Sequence, residues 1–267
     1  MGLKACLWNE DIDLTGGSAA ITAALAAGIR GGFGLVGTDT IRAPSGAGQR
    51  IVGVISGTET AAIDLATLTI AGTARPHDFG GTYVVPLHVF QDYGLNIPLP
   101  SEAIMAWEGY DHAAQCQEFA SIIIDDPSMP DPWGITKNPR FDETLNVNIT
   151  TPARVAATQS GHTDICGRTT AYTGGQAQIP NDPTIDIYVL KIVSRDAAGY
   201  SGIGLEAPGH EANLDFPTMA TVDTVYDMDE IFGGALHCTA ARPFNVYGYG
   251  VGAGTQTLSS ITLGVKW

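Results

Sequence analysis

Gly161-His-Thr-Asp-Ile-Cys-Gly167 is the stretch whose side chains come nearest to a chemical constellation. On an extended backbone, residues two apart share a face. His162, Asp164 and Cys166 would then project the same way, and imidazole, carboxylate and thiolate all ligate zinc. A closed site would need one more ligand from elsewhere, with His237 and Cys238 as the candidates. The competing reading makes Cys166 a small buried hydrophobe and His162 and Asp164 turn residues at a strand entrance. That reading is preferred, and no metal is expected at 161–167.

Other acid–histidine neighbours are Arg75-Pro-His-Asp78 and Glu108-Gly-Tyr-Asp-His112. A nucleophile, base and orienting group must meet in space, and neither stretch supplies the third partner. Gly199-Tyr-Ser-Gly-Ile-Gly204 misses the spacing of a nucleophile elbow. The glycines at 28–37 lack the preceding strand and the Gly-Lys-Ser/Thr ending of a phosphate loop. Asp125, Asp126 and Asp131, or Asp227, Asp229 and Glu230, offer the oxygens that calcium takes, although acids in such runs more often cap turns. Phe244, Tyr247, Tyr249 and Trp267 form an aromatic C-terminal group. A sugar platform is conceivable there, and core packing is the better reading. The expectation is therefore no catalytic residue, no cofactor and no metal.

The elements that would position these residues read as β-structure. Residues 127–141 hold Pro127, Pro130, Pro132 and Pro139. Each proline fixes φ and removes a donor, so neither helix nor central strand runs through. Apolar runs flank the segment, Ser121–Ile124 before it and Leu145–Ile149 after it. It reads as a connector between two β-rich halves, packed through Trp133 and Phe141. Strands are expected at 49–56, 65–70, 82–89 and 119–124. In the second half they are expected at 145–149, 164–172, 185–193, 203–206, 235–241, 244–251 and 258–267. Gly/Pro clusters separate them. A helix is expected at 15–30, capped by Ser18, with a further short helix in 101–119 and one turn at 227–232 capped by Asp227. The domains are then an N-terminal arm or helix (1–32), a first β-sandwich (33–126), the connector (127–141) and a second β-sandwich (142–267).

Composition narrows the classes. The chain has 267 residues, 44% of them apolar, so a sizeable core is available. Its formal charge is -15, from 28 acidic and 13 basic residues. A surface of that sign repels phosphate backbones, so direct nucleic-acid binding is not expected. Cys6, Cys116, Cys166 and Cys238 form no C-x-x-C pair. One or two disulfides are compatible with the even number, and free buried cysteines are the simpler reading. The N-terminus has no signal-peptide pattern.

Two stacked sandwiches, a proline-rich connector, an N-terminal arm, no catalytic signature and an acidic surface together resemble one family. It is the jelly-roll major capsid proteins of icosahedral, membrane-containing double-stranded DNA viruses, in particular the double jelly-roll type. The resemblance covers about residues 33–267 as a pattern of strands and long turns, without a specific motif. It implies an all-β fold of two jelly-roll-like sandwiches. It implies a structural shell subunit that self-assembles, as a homotrimer and with other capsid proteins, into the capsid of a virion formed in the host cytoplasm. It also implies an internal membrane between capsid and genome, with the arm (apolar at Leu3, Leu7 and Trp8) packing on a neighbouring subunit or on that membrane. Each half is short for an eight-stranded sandwich with long loops, and a single elaborated jelly roll stays open. The alternatives are a β-sandwich enzyme or carbohydrate-binding protein with its site near residues 161–167, or a non-viral surface-layer or filament subunit.

Overall fold

The computed structural model describes residues 2–12, 18–20, 31–37, 39–58, 63–77, 96–111, 116–151, 162–164, 171–173, 176–179, 185–196, 201–207, 212–218, 223–239, 241, 244–250 and 257–267. The regular elements among the described residues are almost all strands. The first half holds β1 (Leu3–Ile12), β2 (Ser18–Ala20), β3 (Gly34–Val36), β4 (Thr40–Arg42) and β5 (Arg50–Thr58). It continues with β6 (Ile63–Ile70), β7 (Thr73–His77), β8 (Ile97–Pro98), β9 (Ile104–Asp111) and β10 (Cys116–Asp125). The second half holds β11 (Glu143–Thr151), β12 (His162–Asp164), β13 (Ala171–Thr173), β14 (Gln176–Ile179), β15 (Asp186–Asp196) and β16 (Ser201–Ala207). After them come β17 (Ala212–Thr218), β18 (Thr224–Asp227), the short helix α1 (Met228–Phe232), β19 (Leu236–Cys238), β20 (Phe244–Gly250) and β21 (Thr257–Lys266).

Hydrogen bonding divides these strands into four sheets, and no described strand of one half pairs with a strand of the other. In the first half the orders are β1-β10-β5-β8 and β4-β9-β6-β7, with β3 on the outer edge of β4 and β2 beside β9. In the second half they are β11-β21-β15-β18 and β14-β20-β16-β17, with β13, β12 and β19 as additions. Setting the short additions aside, each half places its first strand beside its last, then its third and sixth. Each places its second beside its seventh, then its fourth and fifth. That order is the jelly roll, two interlocked Greek keys closing a sandwich. The chain is thus two jelly rolls in succession, an all-β fold.

A shared irregularity marks the same duplication. The pairing of β10 with β5 shifts between Ile123 and Ile124, leaving Val52 of β5 as the extra residue. The pairing of β21 with β15 shifts at the same place, leaving Leu190 of β15 extra. Such bulges bend a strand locally and are features of a design rather than accidents.

Packing explains the sequence patterns. In β9, Met105 and Trp107 are fully buried while Ile104, Ala106 and Glu108 between them are half-buried. This is the alternation of an antiparallel strand with one face on the core. Ile122, Ile123 and Ile124 in β10 break that alternation, all at most 1% exposed. Ile122 and Ile124 face the core of the first jelly roll, and Ile123 belongs to a second core shared with the other half. The β1-β10-β5 sheet is therefore buried on both faces. Leu3, Ala5 and Ile55 complete its outward face against Leu214, Phe216 and Trp133.

The connector is packed in place. Asp126 N donates to Gly2 O at 2.9 Å, and Thr136 and Ala235 exchange backbone bonds of 2.8 and 3.0 Å. Asp131 Oδ1 accepts from the backbone N–H groups of Trp133 and Gly134 at 3.0 and 3.2 Å, the side-chain turn that aspartate favours. Trp133 is fully buried, its Nε1 donates to Leu3 O at 2.8 Å, and its ring lies 5.1 Å from that of Phe244.

Several expectations need correction. Residues 3–12 are not an arm but β1, with Leu3 and Trp8 at 2% and 0% exposure inside the fold's own cores. Neither side chain is free to dock on a neighbour or a membrane. Ser18, expected as a helix cap, lies in β2 with Ala19 and Ala20, paired to β9. Hydrogen bonds across a sheet outweigh the helix preference of alanine there. The rest of the expected 15–30 helix lies outside the described residues. The expected helix in 101–119 is absent from 104–111 and 116–119, which are strands. Residues 73–77 and 212–218, which lie between the expected strands, are β7 and β17. Pro76 and Pro217 are compatible with strand because both strands are sheet edges, where a missing donor costs little. The turn at 227–232 is α1, with Asp227 as N-cap and Gly233 at φ 71° as C-cap. The expected strand at 82–89 lies outside the described residues.

Candidate assembly interface

The candidate chemical residues do not come together among the described residues. His162, Thr163 and Asp164 form β12, paired in parallel with β14, and Cys166 lies outside the described residues. His237 stacks on Tyr188, ring centroids 4.8 Å apart, with Nε2 3.2 Å from Asp186 Oδ1. Cys238 is fully buried, and its Sγ accepts from Phe244 N at 3.2 Å. Cys6 is a free, buried thiol. Burial pushes the Cys6 thiol well up, and the Asp215 carboxylate adds to the effect. A thiol held protonated in this way is a packing group rather than a nucleophile.

The acidic runs serve the fold. Asp126 is 3% exposed. Its Oδ2 lies 3.3 Å from Lys4 Nζ and accepts from Gln49 Nε2 at 3.2 Å. Its Oδ1 accepts from Ser128 Oγ at 2.6 Å and from Ser128 N at 3.0 Å. Burial alone would raise the pKa of this carboxyl. The hydrogen bonds from Ser128, Lys4 and Gln49 outweigh burial and hold it below the ordinary value. Asp227 caps α1 by accepting from Asp229 N at 3.0 Å, and its Oδ2 lies 3.3 Å from Lys191 Nζ. Phe244, expected in an aromatic platform or a core, is in the core at 0% exposure, whereas Trp267 is 57% exposed. The side chains of Tyr247 and Tyr249 lie outside the described residues, as do Asp78 and His112.

Among the described residues, an interface with a shared core joins the two halves. Strand β17 lies on the outward face of β1 and β10. Its apolar side chains Ala212, Leu214 and Phe216 join the shared core. Asn213 and Asp215 between them are also buried, at 0% and 2%. Asn213 Nδ2 donates to Ala5 O at 2.7 Å and to the Asp215 carboxylate, and Ser121 Oγ donates to Asp215 O at 2.6 Å. Ala5 O belongs to an edge strand, so this contact also covers an edge that would otherwise invite foreign strands. Sequence reading missed the interface because it places no strand between residues 206 and 235. The signal available was the alternation Ala212, Leu214, Phe216.

The two bulges align the jelly rolls residue by residue. Ile123 corresponds to Thr262, Ser121 to Ser260, Val52 to Leu190 and Gly53 to Lys191. Through the neighbouring ladders, Ala5 corresponds to Asn146 and Leu3 to Thr144. Inward positions match in kind: Ile122 with Ile261 and Ile124 with Leu263, all at most 1% exposed. Outward positions do not. The first jelly roll presents Leu3, Ala5 and Ile123 to the second, all buried. The second presents Thr144 and Asn146, both exposed, and half-buried Thr262.

Part of this second face is roofed by the connector. Phe141 lies over Gly264 so closely that a Cβ there would sit 2.5 Å from Phe141 Cδ1. Beside it a cavity of about 410 Å³ is lined by Asn138, Pro139, Leu190, Lys191, Asp227 and Thr262, among others. Leu190 and Thr262 occupy the positions that Val52 and Ile123 hold in the covered face of the first half.

No protein-family model and no curated protein matches the chain. Solved structures align along its length with low likeness. The major capsid protein P2 of bacteriophage PM2 aligns over 99% of this chain and 98% of its own, at 10% identity and a TM-score of 0.27. Sulfolobus turreted icosahedral virus aligns over 100% and 91%, at 10% identity and 0.25. An IolB-like protein from Salmonella typhimurium aligns over 93% and 84%, at 9% identity and 0.20. Likenesses of this size do not establish a shared fold or a shared function. The jelly-roll assignment stands on the strand order.

Proposed function

We propose that the chain is a structural shell subunit, the major capsid protein of an icosahedral virion. It assembles with itself into homotrimers and with other capsid proteins, in the host cytoplasm. The observation that carries this reading is the duplicated strand order, combined with the fusion of the two jelly rolls over an apolar sheet face. A shell needs a rigid subunit that presents similar shapes at fixed spacing. Two jelly rolls locked together give one chain two such shapes. The first domain, residues 33–126 together with β1, and the second, 142–267, are the building units, and 127–141 fixes their geometry. Function does not follow from fold alone. It is the second, polar outward face that gives this fold something to assemble with. The net charge of -15 suits a shell that does not itself neutralise a genome.

Analytical ultracentrifugation of the full-length chain, over a range of concentration and salt, tests the proposal. Large discrete assemblies are expected, favoured by salt that screens the acidic surface. A monomer under all conditions overturns it.

A further inference from the structure

We propose that the cavity between the connector and the second jelly roll binds one neutral sugar ring, a pyranose. The proposal goes beyond the shell reading and does not depend on it.

Separate parts of the chain build the site. The connector supplies Asn138, Pro139 and Phe141, β15 supplies Leu190 and Lys191, and the end of β18 supplies Asp227. Leu190 is the extra residue of the bulge in β15, and bulges re-aim side chains in this way. Asn138 has φ 49°, in the left-handed region that asparagine tolerates better than most residues. Phe141 lies against Gly264, where any side chain would collide with its ring. The ring is thus held in place before a ligand arrives, which lowers the ordering cost of binding. A cavity of about 410 Å³ lies toward the small end of the range of ligand sites, about 300–1,000 Å³.

The chemistry of the lining selects the ligand. Phe141, Leu190 and Pro139 give it an apolar part. Beside them stand hydrogen-bonding groups of both kinds. Asp227 Oδ2 lies 3.3 Å from Lys191 Nζ in a half-buried pair. An ammonium has three N–H donors, and this pair uses one. The Asn138 amide offers both donors and an acceptor. A pyranose has the matching form. Its hydroxyls donate and accept around the rim, and its C–H groups make an apolar face that packs on the negative face of an aromatic ring.

Other classes of ligand fit less well. An anion meets the Asp227 carboxylate and the exposed Asp229 at the cavity, in a chain of net charge -15. An ammonium compound meets Lys191. A wholly apolar molecule would cover the Asp227–Lys191 pair without hydrogen-bonding to it, and taking charges out of water is costly. A metal ion needs open carboxylate oxygens, whereas those of Asp227 hold Asp229 N at 3.0 Å and Lys191 Nζ.

Ligand-observed NMR tests the proposal, with saturation transferred from the full-length protein to methyl glycosides of glucose, galactose, mannose and N-acetylglucosamine. The glycosides mimic the end residue of a glycan, and the free reducing sugars are measured beside them to separate the two sources. At least one of these sugars is expected to bind with a dissociation constant on the order of 1 mM. Glucuronate, an anionic counterpart, is expected to bind about tenfold more weakly or not at all. Asn138→Gly removes the amide from a backbone that suits glycine. Lys191→Met keeps the apolar stem and removes the donor, and a partly exposed ion pair contributes little to stability. Cooperative thermal melts are therefore expected in both. Should Lys191→Met fail to melt cooperatively, Lys191→Gln replaces it. Each variant is expected to weaken binding about five- to tenfold. Saturation transfer to none of the neutral sugars, even at about ten times that concentration, overturns the proposal. So does glucuronate binding as tightly as the neutral sugars, or folded variants that bind like the wild type.

Discussion

Thr262 and Asn146 face each other across β21 and β11, joined by a 2.8 Å hydrogen bond, at the register position where Ile123 and Ala5 face each other across β10 and β1. The same place in two jelly rolls carries a buried apolar pair in one and, in the other, a polar pair of exposed Asn146 and half-buried Thr262. The first pair is sealed by the other half of its own chain. The contrast separates what holds the subunit together from what it offers outward.

The connector is expected to act as part of the core. Trp133→Ala should destabilise the protein by about 3–5 kcal/mol, the usual cost of truncating a large buried aromatic. Trp133→Phe should cost about 1–3 kcal/mol, because Leu3 O loses its donor in a buried place. Urea unfolding monitored by fluorescence and circular dichroism measures both. A loss below about 1 kcal/mol for Trp133→Ala would show that the connector is a tether only.

The Asp126 clasp gives stability a pH dependence of known sign. Its folded pKa is depressed, so its contribution is complete above the unfolded value of about 3.9 and is lost as pH falls through the folded value. Asp126→Asn should lower the melting temperature at neutral pH, because the buried ammonium of Lys4 loses its counter-charge. The gap between variant and wild type should narrow as the pH is taken below about 4. A gap that stays constant with pH would contradict the assignment.

Removing residues 2–12 should abolish cooperative folding of the first half. The deletion takes Leu3, Ala5 and Trp8 from two cores and exposes β10 along one edge. Hydrogen exchange read along β5, β9 and β10 should show lost protection. A truncated chain that keeps wild-type protection in those strands would return the segment to the status of an arm.

Gly264 and Phe141 should be energetically coupled. Gly264→Ala is expected to cost about 1–3 kcal/mol through overpacking against the Phe141 ring. In a Phe141→Ala background the cost should largely vanish. Additive losses in the double-mutant cycle would mean that the ring moves aside freely.

The class of fold was legible because period-two patterns with Gly/Pro punctuation survive in most strands, including β5, β6, β15 and β21. The duplication was not legible, since jelly rolls are built by strand order and inward-facing residues need only be apolar. Ile124 and Leu263 are equivalent in space and share no flanking motif. β1 was misread because it is short of β-branched residues. Leu3, Ala5 and Trp8 are held there by the ladder to β10, a partner more than a hundred residues away. β7 and β17 were hidden by prolines that an edge strand accommodates. The contrast between the two outward faces left no mark in the sequence, because Thr144, Asn146 and Thr262 are ordinary outward residues until the register sets them beside Leu3, Ala5 and Ile123.

The most direct test of the account is negative-stain electron microscopy of the purified full-length chain under conditions that promote association. The account predicts ring-shaped oligomers of uniform size, each chain contributing two jelly rolls to the ring, and at higher concentration closed or sheet-like lattices of them. A field of single particles no larger than one chain, unchanged by concentration and salt, would contradict it.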